Sequence, residues 1–332
     1  MTLATLIPVH IITGFLGSGK TTFIQQILSN NQNHQTLVMI NEFGEIGLDH
    51  LLIEPVSDNT YLLPSGCMCC TVLTDIKHTL VEILRELKTG QMPYFDKVII
   101  ETTGLANPAA ILSLFNHDVH LKNHFSVHGL TTVVDSEFAL SQAHTQPEWL
   151  AQITACQQIV LSKTDRIDHA QLPALQAYLN TLNPDASFVD RAILSDVHAL
   201  FAKDLSFISS LNPRFFQAVE QQKHQAVQSI VLEYDKAIDW AVFGLWLSLL
   251  LNQYGEHILR IKGMLYLDNV DQPIFIHGVQ HCLYPPEHLS KPLWSKQVSK
   301  LVFICRGIDC QQIRHSADTF LGSIGCMKIA SA

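Results

Sequence analysis

The sequence predicts an α/β protein, in which a doubly wound, mostly parallel sheet covered by helices is followed by a smaller α+β domain. Three observations carry that expectation. From residue 7 to about residue 215, short β-rich apolar runs alternate with amphipathic segments, as parallel strands joined by helical crossovers require. A glycine-rich turn lies between the first apolar run and the first helical pattern. Beyond residue 229, strands and helices form separate groups.

In the first part, residues 8–13, 36–41, 97–101, 131–135 and 158–162 read as strands. Helices are expected from Lys20, near Thr74, near Pro108 and near Gln171, each about a dozen residues long. Residues 216–228 lose strand character and gain polar side chains, which marks a linker. The expected domains are therefore 1–215 and 229–332. The second has a strand at 229–234, a helix at 238–252, strands near 259–267, 273–279 and 300–305, and a helix from about Asp309.

Composition narrows the function. Hydrophobic residues make up 47% of the 332 and charged residues 15%, enough apolar material for two cores. With 30 acids against 21 bases the net charge is −9, so a surface for nucleic-acid phosphates is not expected. The first residues lack the basic stretch and cleavage pattern of a signal peptide, and the longest apolar run, 240–251, falls short of the roughly 20 residues that span a bilayer. A cytoplasmic protein without a membrane partner is expected. Three of the eight cysteines fall within positions 67–70, which in that compartment favours thiols or metal ligands over disulfides.

Gly14-Phe-Leu-Gly17-Ser18-Gly19-Lys20-Thr21-Thr22 has the form and the strand–helix context of a phosphate-binding loop, so the first domain is expected to be a P-loop NTPase. Its glycines let backbone N–H groups wrap phosphates, Lys20 reaches the terminal phosphates, and the Thr21 hydroxyl coordinates Mg²⁺. Glu101-Thr-Thr-Gly104 ends an apolar strand, which suits an acid that holds Mg²⁺ and a Gly104 N–H that meets the γ-phosphate. Ser162-Lys163-Thr164-Asp165 ends another strand, where a carboxylate at Asp165 accepts two hydrogen bonds from guanine but finds no matching donor pair on adenine. GTP is therefore the expected nucleotide, although Ser162 stands where asparagine is usual. Cys67, Cys69 and Cys70 offer up to three soft thiolates for a metal such as Zn²⁺ and leave one coordination position open.

Taken in order, GFLGSGKTT, NEFGE, GCMCC, ETTGLANP and SKTD resemble the CobW-type family of metal-handling GTPases, and Arg260-Ile-Lys-Gly263, His277-Gly-Val279 and Leu301-Val-Phe-Ile extend the resemblance past the linker. The resemblance implies kinship with GTPases that insert nickel into urease and hydrogenase, and a role in delivering zinc or cobalt. It carries Cys67, Cys69 and Cys70 over as metal-binding thiols, with Glu42 as a switch residue able to join them. Only His224 lies near the linker, where many relatives have a histidine-rich stretch, so no metal reservoir is expected. Cys305, Cys310 and the pair His281-Cys282 are too widely spaced to define a second site from sequence.

Three readings follow. The first is a GTPase that passes metal to a client metalloprotein, with the smaller domain as a contact surface for the client or for a second copy. The second is a metal buffer or sensor with GTP as a structural ligand. The third is a P-loop kinase of a small acceptor, which leaves Asp165 and the thiols unexplained.

Overall fold

The computed structural model describes residues 6–29, 35–41, 54–57, 60–65, 72–168, 170–189, 197–202, 227–294 and 296–322. They fall into two compact units, one drawn from Met1–Gln176 and Ala186–Ser206, the other from Ala177–Asp185 and Phe207–Ala332.

The first unit contains β1 (Ile7–Thr13), α1 (Lys20–Ser29), β2 (Thr36–Asn41), β3 (Glu54–Ser57), β4 (Thr60–Ser65), α2 (Val72–Thr89), β5 (Lys97–Glu101), α3 (Pro108–His117) and α4 (Val119–Lys122). It continues with β6 (Phe125–Asp135), α5 (Ala139–Thr145), α6 (Pro147–Ala155), β7 (Gln158–Ser162), α7 (Gln171–Leu182, whose second half, from Ala177, belongs to the second unit), β8 (Ser187–Val189) and α8 (Val197–Ala202). The strand order is β3-β4-β2-β5-β1-β6-β7-β8, parallel throughout except for the β3–β4 pair at one edge. Central strands bury both faces, which is why they read as unbroken apolar runs. Ile12, Val38, Ile99, Val133 and Val160 pack with Phe23, Ile24 and Ile27 of α1.

The structure departs from the sequence reading at β6 and at α2. β6 begins at Phe125, not at Thr131. Its first half, Phe-Ser-Val-His-Gly-Leu, looks too polar for a strand, yet it pairs with β1, and the register shifts by one at His128. Such a bulge re-aims one side chain. α2 runs 18 residues instead of about a dozen.

The second unit holds β9 (Gln228–Tyr234), α9 (Trp240–Tyr254), β10 (Ile258–Leu265), β11 (Ile274–Val279), β12 (Cys282–Leu283), β13 (Glu287–His288), β14 (Ser299–Cys305) and α10 (Cys310–Gly322). Its sheet is antiparallel, in the order β12-β11-β10-β14-β9, with β13 also on β11. Gln228, read as the end of the linker, opens β9. α9 starts two residues later than expected because the Asp239 carboxylate accepts from the Val242 N–H, the geometry of an N-cap, while Ile238 bridges to Leu267. Phe243, Trp246 and Leu250 of α9 meet Leu232, Ile261 and Phe303 of the sheet and Ile313 of α10. Among the described residues no helix is long and apolar enough to cross a membrane.

Arg260 and Lys262 of the sequence motif are buried on β10 and share one acid, Asp185: Lys262 Nζ bonds its carboxylate, Arg260 reaches it at 3.3 Å and also donates to Asn183 Oδ1 at 2.6 Å. Burial brings the Lys262 ammonium down to about 8 despite the counter-charge of Asp185. These residues belong to the framework of the second unit. Cys305 and Cys310 are also buried there.

His10 of β1 is buried in the first unit. Its Nε2 lies 2.8 Å from Thr131 Oγ1, and the rings of His128 and Phe201 pack at 6.1 and 5.7 Å. Burial, then the neighbouring His128, lowers the His10 pKa to about 3. The unfolded chain therefore takes up a proton near pH 6.5 that the folded chain refuses until far lower pH, so this site loses stability as pH falls through that interval. Between pH 7.5 and 5.5 the parent should lose about 1.4 kcal/mol more unfolding free energy than His10→Gln, measured by urea titration.

Candidate nucleotide site

The parallel strands end at a common edge, the usual ligand-binding edge of an open α/β sheet. Gly14 follows β1, Glu101 closes β5, Asp135 closes β6 and Ser162 closes β7. A cavity of about 390 Å³ opens there, lined among others by Gly17, Gly19, Lys20, Thr21, Glu101 and Gly104.

The P-loop backbone is tightly constrained. Gly14 has φ +148°, and a Cβ on it would lie 2.3 Å from the Val133 carbonyl oxygen. Gly17 and Gly19 are also at positive φ, +74° and +88°, where other residues are strained. Lys20 and Thr21 begin α1, so the loop delivers its N–H groups to a helix N-terminus that favours anions. The Lys20 ammonium donates to the carbonyls of Gly14 at 2.9 Å and Phe15 at 3.3 Å.

Glu101 is buried, and its Oε1 accepts from the Thr21 hydroxyl at 2.8 Å. The two residues that the sequence assigned to Mg²⁺, 80 positions apart, thus meet beside the phosphate loop. Gly104 follows in a turn closed by the Ala106 N–H on the Thr103 carbonyl at 3.0 Å. A Cβ on Gly104 would come within 2.6 Å of the Leu16 nitrogen, so this turn packs directly on the P-loop backbone.

Ser162 reaches the loop from the other side: its hydroxyl lies 2.6 Å from the Ser18 carbonyl oxygen and 3.1 Å from that of Val134, and can donate to either. The serine that departs from the usual asparagine therefore ties β7 to the P-loop. Lys163 takes the left-handed conformation, φ +52°, and its ammonium pairs with the buried Asp135 carboxylate at 2.5 Å. Asp165 is exposed in the short 3₁₀ turn Thr164–Arg166 that follows.

Cys67, Cys69, Cys70 and Glu42 lie outside the described residues. The backbones that lead to them do not: β2 ends at Asn41 and β4 at Ser65, and these two residues are partners in the parallel register. Among the described residues, no cluster of three or more His, Cys, Asp or Glu side chains is arranged to hold a metal. Sequence reasoning missed Asp135 and Gln152. Asp135 could have been marked as a strand-terminal acid, whereas Gln152, whose amide bonds the carbonyls of Gly104 and Ala106 at 3.1 Å, gave no local signal.

Comparison with known proteins agrees with this geometry. Residues 8–190 match the family model described as CobW/HypB/UreG, nucleotide-binding domain, and residues 227–321 match the cobalamin synthesis protein cobW C-terminal domain. The zinc chaperone YjiA of Escherichia coli (strain K12) is 30% identical over 316 residues, which cover 93% of this chain and 96% of that protein. The crystal structure of the Zn(II)-bound E. coli YjiA GTPase superposes with a TM-score of 0.72 at 25% identity, covering 95% of this chain and 99% of the other. A Zn(II)-bound variant of it, with one glutamate and two cysteines replaced by alanine, aligns with the same score and coverage at 26% identity. The P-loop, its buried acid and both matched regions lead to one conclusion: the chain belongs to the CobW/HypB/UreG family of P-loop GTPases.

Proposed function

We propose that the chain is a GTP-hydrolysing metallochaperone that binds zinc through Cys67, Cys69 and Cys70, with Glu42 as a switch ligand, and passes it to a client metalloprotein. The observation that carries this reading is the pairing of Asn41 with Ser65 at the end of the sheet that bears the P-loop. Glu42 follows Asn41 directly, and Cys67 follows Ser65 by two residues, a reach of about 7 Å. The chain thus has the means to bring switch acid and thiols together within range of a nucleotide-dependent rearrangement. The zinc bound by the E. coli relative favours that metal, in line with the thiolate donors.

In this account GTP lies along Gly14, Gly17, Ser18, Gly19 and Thr22, with Lys20 on the terminal phosphates and the Gly104 N–H on the γ-phosphate. Thr21 and Glu101 supply a hard oxygen pair that fits Mg²⁺, which when bound neutralises charge on the β- and γ-phosphates. Lys163, braced by Asp135, and Asp165 select guanine. The first unit would form the GTPase domain, and the second the domain that meets the client or a second copy in the cytoplasm. There α9 exposes Trp240, Leu245 and Leu249, apolar surface suited to such a contact.

Three outcomes test the assignment. Asp165→Ala should weaken GTP binding by about 1–3 kcal/mol and leave ATP binding unchanged in calorimetric titrations; equal affinities of the parent for both nucleotides would refute guanine selection. Lys20→Ala should abolish hydrolysis yet leave zinc stoichiometry near normal at saturating zinc, since phosphates and thiols occupy separate sites; zinc sites lost together with nucleotide would contradict this. Replacing Cys67, Cys69 and Cys70 by serine should abolish zinc binding that resists a competing chelator. Affinity is the readout here because the E. coli variant remains zinc-bound without one glutamate and two cysteines, so stoichiometry alone is a weak test.

A further inference from the structure

The turn that carries Gly104 is gripped from two sides. On one side Gly104 lies against the Leu16 backbone, with no space for a Cβ. On the other stands Gln152 of α6, fully buried, whose single amide nitrogen donates to Gly104 O and Ala106 O, each at 3.1 Å. These carbonyls sit in the middle and at the end of the turn that the Ala106 N–H closes on Thr103. α6 is in turn fastened to the sheet, because the Thr132 hydroxyl donates to the Gln152 carbonyl at 2.9 Å. Gln152 does not line the nucleotide cavity. A neutral amide buried behind a glycine turn, with both its hydrogens on that turn, fixes the path of the backbone from which the Gly104 N–H projects.

We propose that Gln152 is a positioning residue for recognition of the γ-phosphate: by holding the Thr103–Ala106 turn against the P-loop, it presents the Gly104 N–H to the terminal phosphate and not to the phosphates that GDP shares with GTP. The inference rests on the reading that Gly104 meets the γ-phosphate. Its signature is a selective one. Loss of the amide loosens the turn and weakens the interaction that GTP alone makes, while the P-loop contacts of Lys20 and Thr21 continue to hold GDP.

The test uses the full chain with Gln152→Met, which keeps the length of the side chain but cannot donate, and Gln152→Asn, which keeps the amide but withdraws it by one methylene. Affinities for GDP and for a non-hydrolysable GTP analogue are measured by calorimetry, and hydrolysis in a single turnover. The expected result is GDP affinity within about twofold of the parent, with analogue affinity and hydrolysis rate each lower by about tenfold. Gln152→Asn carries the test alone if Gln152→Met does not fold. Equal losses for GDP and analogue would make Gln152 a general support of the site and overturn the proposal, as would unchanged binding and hydrolysis in both variants. Failure of the underlying reading looks different: the parent itself would then bind GDP and the analogue equally.

Discussion

The phosphate loop is built at contact distance from the strands around it, and the rest of the site depends on that closeness. β6 comes so near Gly14 that any side chain there would strike the Val133 carbonyl. The turn after β5 lies as near to Leu16, and β7 sends the Ser162 hydroxyl to Ser18. Three strands therefore fix the loop from different directions. A loop held this way presents its N–H groups with little reorganisation on binding, which is how a backbone site gains affinity for phosphate.

The same edge gathers charges that would be costly to bury alone. Glu101 is covered but accepts from Thr21, and Asp135 is covered but faces Lys163. Each acid comes from the end of one parallel strand and meets a partner from the start of a helix or turn. The arrangement follows from strand order: β5 and β6 flank β1, so their last residues converge on whatever follows β1. The second unit handles its charges in another way: two bases on one antiparallel strand share the covered carboxylate of Asp185, which follows α7, and Arg260 is also tied to Asn183.

Much of this was legible in the sequence, and the limits are physical. β2, β5 and β7 were placed to the residue because central parallel strands are apolar on both faces and end in a polar residue. The glycine motif identified its own loop. The first half of β6 was missed because a bulge at His128 allows polar residues into a paired strand, and the two-residue strands β12 and β13 are too short for any periodicity. In the site, Lys20, Thr21, Glu101 and Gly104 were legible from motifs, and the structure brings them to one cavity. Gln152 was not, since its partners lie 46 and 48 residues away and only the fold brings them near. The three cysteines and Glu42 were legible as residue types, and their site remains a proposal.

What distinguishes a delivery machine from a protein that merely holds metal is coupling between the γ-phosphate and the metal's ligands. A coupling of this kind is typically about 1–3 kcal/mol, or roughly 5–150-fold in affinity, and linkage requires it to act equally in both directions. The most direct measurement is a pair of zinc titrations of the full chain, one saturated with GDP and one with a non-hydrolysable GTP analogue, each repeated with Glu42→Ala. The account predicts tighter zinc binding with the analogue, and a smaller difference in the variant, which keeps its three thiols. Equal dissociation constants in the two nucleotide states of the parent would contradict it and leave a metal buffer for which GTP is only a structural ligand.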